Sequence, residues 1–185
     1  VGVINDVKSA VGSRFVASQQ DIYVIGQNDK VDDGWLGTSL FAKHQGLTGI
    51  FAPPPVDLDA EKTTGDFLAL LVADQLITAA HDISDGGLAV AVAEMSQHTS
   101  FGAQIKIPTT GNLLGWAFGE DQARYVVTTI NADALIKAAK KAIVPVTKIG
   151  IVLSKAELQF GDNDTISVKE LESVSEGCLP KLMAG

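Results

Sequence analysis

Ile77-Thr78-Ala79-Ala80-His81-Asp82-Ile83-Ser84-Asp85-Gly86-Gly87-Leu88-Ala89-Val90-Ala91-Val92-Ala93-Glu94-Met95 is the stretch on which the reading of this chain turns. Its first five residues form a short, mostly apolar run, the pattern of a buried strand. From Gly86 to about Gln97 the period changes, and Leu88, Val92 and Met95 fall on one helical face. Between the two runs lies a polar turn with two carboxylates and paired glycines. A strand that feeds a helix through such a turn leaves open amides at the positive end of the helix dipole, where phosphate and other anions bind. Paired glycines let a ligand approach backbone that any Cβ would shield. Ser84, Asp85, Gly86 and Gly87 are therefore the candidate phosphate-binding residues. Asp82 and Asp85, three residues apart on one turn, are the candidate metal ligands, because Mg2+ combines one or two protein carboxylates with nucleotide phosphates. The same spacing also fits a plain strand-turn-helix junction in which Ser84 or Asp85 caps the helix and the glycines merely permit the turn. His81, at the strand end, reads either as a packed, hydrogen-bonded imidazole or as a general base.

Working outward, Asp21-Ile22-Tyr23-Val24-Ile25-Gly26 is a second buried-strand pattern, followed by a polar loop at 27–33. Leu36, Leu40 and Phe41 predict a helix over 36–45 that stops at Gly46. Pro53-Pro54-Pro55 leads into a helix reaching about Gln75, with Asp57 and Asp59 at its positive end and Phe67, Leu68, Leu71 and Val72 on its apolar face. Further strands are expected at 103–107, 124–129, 146–152 and 165–168. An alanine-rich helix is expected at 132–142 behind an Asn131 cap, and a short one at 168–173. Strands and helices alternating in this way predict an α/β (α+β) fold, a mixed sheet flanked by helices. With 185 residues, 46% of them hydrophobic, the chain fits one domain over 1–185.

The balance of 14 basic against 22 acidic side chains, a net charge of -8, argues against nucleic-acid partners and requires any anionic ligand to be held locally. No apolar run is long enough to span a membrane, and no basic start precedes an apolar core, so a soluble, cytoplasmic protein is expected. Cys178 cannot pair within the chain and has no His nearby in sequence. It reads as a small, partly buried side chain rather than a nucleophile. Neither a Gly-x-x-x-x-Gly-Lys-Ser/Thr loop nor a Gly-x-Gly-x-x-Gly fingerprint is present. The chain opens on Val1-Gly2-Val3 rather than Met, so its start is expected to be an artificial edge or a cleavage site, with sequence missing upstream.

His81 to Met95 closely resembles the HD-x-SDGGL-AVA-AEM stretch of the large-subunit phosphoribosylformylglycinamidine synthase family. Three further blocks match in family order: Gly34-Trp35-Leu36-Gly37-Thr38-Ser39, Ala52-Pro53-Pro54-Pro55-Val56-Asp57-Leu58 and Phe118-Gly119-Glu120-Asp121-Gln122-Ala123-Arg124-Tyr125. The resemblance implies the C-terminal α/β domain of an enzyme built like aminoimidazole ribonucleotide synthetase, and the last such domain, since 177–183 resembles the family's end. It implies a ligase that converts formylglycinamide ribonucleotide, ATP and ammonia from glutamine into formylglycinamidine ribonucleotide, ADP and phosphate. It also implies Mg2+ and ATP as cofactors, and as partners the upstream ATP-binding domains and a glutaminase subunit or domain. The family's main ATP-binding residues and its catalytic histidine lie upstream, so no catalytic residue is assigned here and the isolated domain is expected to be inactive.

Glu120 and Arg124, four apart, fit a surface ion pair of little worth; the resemblance adds a role for both, as for His81, at a ligand or an interdomain face. The proline block reads as a rigid lead-in, His44 and His98 as solvated, and Trp35, Phe101 and Trp116 as core or interface. Two alternatives stand beside the main reading. One is another ATP-dependent enzyme of the superfamily, acting on aminoimidazole, selenophosphate or thiamine-monophosphate chemistry, against which the doubled acid around Ser84 and the three prolines argue. The other is a non-catalytic assembly module whose glycine turn binds nothing.

Overall fold

Residues Asp21–Ile25 form strand β1, and their alternation sets the layering of the molecule. Ile22 and Val24 enter one hydrophobic cluster, Tyr23 and Ile25 another, and all four are buried. A strand with apolar residues on both faces needs cover on both, which places β1 inside a sheet with helices above and below. In this computed structural model, which describes residues 6–27, 33–47, 52–162 and 164–183, that is the arrangement found. Val1-Gly2-Val3 and most of the 27–33 loop lie outside the described residues.

Tyr125–Thr129 (β4) and Val146–Leu153 (β5) flank β1, both antiparallel to it. Ala79–Asp82 (β2) pairs with β4, and Gly102–Ile105 (β3) with β5, again antiparallel. Glu157–Phe160 (β6) joins β3 in parallel, and Asp164–Ser167 (β7) closes that side. The result is the expected mixed sheet, ordered β2-β4-β1-β5-β3-β6-β7.

Two short helices, Asp33–Leu36 (α1) and Leu40–His44 (α2), precede Leu58–Ala73 (α3). Gly87–Ser96 (α4), Leu113–Phe118 (α5), Ala132–Ala142 (α6) and Val168–Met183 (α7) follow. α3 and α6 cover the Tyr23 face through Phe67, Leu71, Leu135 and Ala139. α4 and α5 cover the Ile22 face through Leu88, Val92, Met95 and Trp116. Leu88, Val92 and Met95 are each wholly buried, which stabilises the α4 contact by roughly 1.5–3 kcal/mol per side chain.

The helix expected over 36–45 is two helices, because the Ser39 hydroxyl accepts from the Ala42 amide and starts α2 afresh. The short helix expected at 168–173 continues to Met183, across Pro180. α5 and β6 were not expected: six residues in one apolar run and four of mixed polarity carry too little periodicity to read. Among the described residues no helix is long and apolar enough to cross a membrane.

Candidate functional site

β2 ends at Asp82 and α4 begins at Gly87, so the polar stretch is a four-residue turn. Ile83 anchors it, buried and donating its amide to the Arg124 carbonyl at 2.9 Å, while Ser84 and Asp85 stay exposed. Neither Ser84 nor Asp85 caps the helix, which corrects the cap expected in the plain-junction reading. The cap position is Gly86, with no side chain to offer, and the carboxylate of Glu120 accepts from its amide at 2.8 Å. The Gly87 amide turns back to the Ser84 carbonyl at 3.0 Å.

Both glycines sit in the left-handed region, at φ of 84° and 72°. A Cβ on Gly86 would lie 2.5 Å from the Val90 side chain, and one on Gly87 would lie 2.7 Å from the backbone of Phe118. The paired glycines thus have a structural reason of their own, beside any approach of a ligand. Their missing side chains let the chain turn and let α4 seat against the 118–119 backbone.

In front of the turn lies a cleft of about 460 Å³, lined among others by Pro54, Asp82, Ser84, Asp85, Glu120 and Arg124. Glu61 of α3 and Tyr125 of β4 complete its wall. Glu61 accepts from the Ala123 amide at 2.7 Å and so ties α3 to the strand side. The Tyr125 phenol is pushed above its usual range by burial, and further by the carboxylates of Glu61 and Asp82, so it remains a neutral donor. Among the described residues four acidic residues thus line the cleft, Glu61, Asp82, Asp85 and Glu120, and the basic residue in its lining is Arg124, whose side chain is buried.

Arg124 is not the surface partner of Glu120. Its side chain is 1% exposed and pairs with Asp121 at 3.1 Å, while Nη2 also donates to the Gly119 carbonyl at 2.8 Å. Burial lowers the guanidinium pKa and Asp121 opposes that shift. The reason is topological: Arg124 precedes the buried strand β4 and points inward, whereas Glu120 reaches across to the amides of Leu40 and Gly86, 2.8 Å from each. The i to i+3 spacing of Asp121 and Arg124 was the available signal for this pair. Nothing in the sequence marked Glu61, and Tyr125 stood only as the last residue of the 118–125 block.

His81 is the packed imidazole of the two readings. Nδ1 lies 2.8 Å from the Asp82 carbonyl and Nε2 lies 3.3 Å from Glu94 of α4. It is not among the residues lining the cleft. Two other expectations change. His98 is not simply solvated, since its amide donates to Glu172 at 2.6 Å and Nε2 lies 3.0 Å from Glu176, holding α7 to the end of α4. Cys178 is exposed rather than partly buried. Trp116 is core, 5% exposed, while Trp35 and Phe101 are half-buried.

Compared with known proteins, the chain matches over residues 19–163 the family described as AIR synthase related protein, C-terminal domain. It is 42% identical over 186 residues to the phosphoribosylformylglycinamidine synthase subunit PurL of Methylocella silvestris, covering 100% of this chain and 25% of that protein. Among solved structures it is similar to Thermotoga maritima PurL complexed with FGAR, at a TM-score of 0.75 and 19% identity, covering 89% of this chain and 30% of that one. The same protein complexed with ATP gives a TM-score of 0.70, covering 89% and 27%. The chain spans about a quarter of the length of the curated relatives it matches.

Proposed function

The chain belongs to the family of AIR synthase related proteins, as their C-terminal domain, and on that premise we propose that it serves as the C-terminal domain of a phosphoribosylformylglycinamidine synthase. The observation that carries this reading is the convergence of three separate sequence blocks on one cleft. Pro54, the pair Ser84 and Asp85, and the pair Glu120 and Arg124 come from segments far apart in the chain and line the same 460 Å³ space. Residues 1–185 act as a single α/β domain of a longer enzyme that also carries ATP-binding domains. The reaction is the ATP- and glutamine-dependent conversion of formylglycinamide ribonucleotide to formylglycinamidine ribonucleotide. A glutaminase subunit or domain supplies the ammonia, and the enzyme is cytoplasmic.

At the cleft, Ser84 and Asp85 present the turn to a phosphate-bearing ligand, and Gly86 and Gly87 hold the turn in the shape this needs. The electrostatics select the form in which phosphate enters. Four carboxylates repel a bare phosphate, and Arg124 is already engaged by Asp121. A phosphate that arrives with Mg2+ is accepted instead. The residues fit that ion: Asp82 and Asp85 supply the one or two carboxylates Mg2+ takes alongside phosphates and waters. Among the described residues no group of three or more His, Cys, Asp or Glu side chains is placed to hold a metal, so an all-protein cage is not what the site offers. Bound there, Mg2+ would neutralise phosphate charge. Glu120 and Arg124 shape the wall, and His81 braces β2 against α4.

The test is to assay the intact protein that contains this chain with formylglycinamide ribonucleotide, ATP, Mg2+ and ammonia. ATP-dependent formation of formylglycinamidine ribonucleotide is expected from the intact protein and none from residues 1–185 alone. An intact protein that instead phosphorylates thiamine monophosphate, or turns over neither substrate, overturns the reading.

A further inference from the structure

We propose that Glu120 is a positioning residue, whose carboxylate clamps the amides of Gly86 and Leu40 together and so fixes the turn and one rim of the cleft for ligand binding. The inference rests on the reading above and assigns one residue a role within it. A single oxygen, Oε1, lies 2.8 Å from the Leu40 amide and 2.8 Å from the Gly86 amide. These donors belong to the first turn of α2 and to the cap position of α4, which are otherwise unconnected in sequence.

Each donor is one that its own helix leaves open. Gly86 has no side chain with which to cap α4, and the amides in the first turn of α2 have no intrahelical acceptor. Glu120 therefore supplies the acceptor from a third segment, with its negative charge at the positive end of the α4 dipole. That segment is itself held on three sides. The Phe118 ring stacks on Phe41 of α2 with centroids 4.7 Å apart. The 118–119 backbone is the surface against which Gly87 packs. The Gly119 carbonyl is bonded by the buried Arg124. Two adjacent acids thus face opposite ways: Asp121 turns inward to Arg124, and Glu120 turns outward to fasten α2 to the glycine turn.

A clamp that works through accepted hydrogen bonds differs from a charge that acts on ligand or metal. The Gly86 amide is already taken, so what Glu120 adds to binding is the placement of the neighbouring Ser84 and Asp85. A glutamine at this position keeps an acceptor oxygen at the same reach, while alanine removes it.

The experiment compares Glu120→Ala, Glu120→Gln and Glu120→Asp in the intact enzyme. Glu120→Ala is expected to raise the KM for formylglycinamide ribonucleotide by about tenfold, the effect of losing one or two hydrogen bonds, with a smaller change in kcat. Glu120→Gln is expected to rescue most of that rise. A KM unchanged in the alanine variant, or a glutamine variant as impaired as alanine, overturns the clamp. Glu120→Asp keeps the charge but is one methylene too short to reach both amides. It carries the test if the alanine variant does not fold, and a wild-type KM in it is equally fatal. Amide hydrogen exchange separates this proposal from the functional reading, because it needs no turnover. Protection at Gly86 and Leu40 should fall together in the alanine variant and persist with glutamine; exchange that ignores Glu120 overturns the clamp whatever reaction the enzyme performs.

Discussion

The Arg124 guanidinium lies 3.1 Å from the Asp121 carboxylate, with the arginine side chain almost wholly shielded from water. Nη2 also reaches the Gly119 carbonyl, while Nη1 is buried without a hydrogen-bond partner among the described residues. One pair thus straps the loop before β4 onto itself, and the wall of the cleft depends on it.

Removing the Asp121 carboxylate leaves the Arg124 guanidinium buried without its ion-pair partner, and breaking a buried pair in this way typically costs about 3–5 kcal/mol. Asp121→Asn should lower stability by that order in urea unfolding, and Arg124→Ala should also destabilise, through the lost ion pair and the lost bond to the Gly119 carbonyl. Arg124→Lys should cost less than Arg124→Ala, since the ion pair survives while the fork to Gly119 is lost. Losses below about 1 kcal/mol would mean that water reaches the pair.

Gly87→Ala should destabilise the chain well beyond the ~1 kcal/mol of an ordinary glycine replacement. The residue is left-handed, and its Cβ would strike the Phe118 backbone. Gly65 in α3 is the contrast, with open space where a Cβ would point. Gly65→Ala should raise stability by roughly 0.5–1 kcal/mol through helix propensity. Thermal midpoints of the two variants, measured side by side, check both signs.

Asp85→Asn in the intact enzyme should weaken the Mg2+ dependence of synthesis by roughly tenfold or more, since even outer partners of metal ligands are worth 10–100-fold. A parallel Asp82→Asn variant shows how the two exposed carboxylates share the ion. Titrating Mg2+ at saturating ATP is the measurement, and an unshifted midpoint in both variants would remove the metal from this turn.

Tyr125 gives a pH dependence with a definite sign. Its folded pKa is raised above the ordinary 10.0, so between the two values the unfolded chain has released a proton that the folded chain retains. The stability it contributes is complete below pH 10 and is lost as pH rises through the folded value. Tyr23, raised mainly by burial, acts in the same direction. Melting points should therefore fall above about pH 10, and Tyr125→Phe should flatten that fall.

How the chain forms its elements could be read from local pattern because burial leaves a period. Leu88, Val92 and Met95 marked α4, the apolar run around Tyr23 marked β1, and Asn131 marked the start of α6, whose cap accepts from Ala134 as expected. β6 mixes polar and apolar residues, and α5 is one apolar run interrupted by Gly115, so neither shows a period. The sequence also located the turn at 82–87 and the blocks at 53–58 and 118–125. What it could not decide was direction. Glu120, Asp121 and Arg124 are three charged groups within five positions, and their spacing fits a Glu120–Arg124 pair as well as the Asp121–Arg124 pair that forms. The pairing of β4 with β1 and β2, and the seating of α4 on the 118–119 backbone, decide that. The same contacts bear on the paired glycines, which the sequence offered to a ligand: in the tertiary structure a Cβ on Gly87 would strike the Phe118 backbone, brought from far along the chain, whereas one on Gly86 would strike Val90 of its own helix.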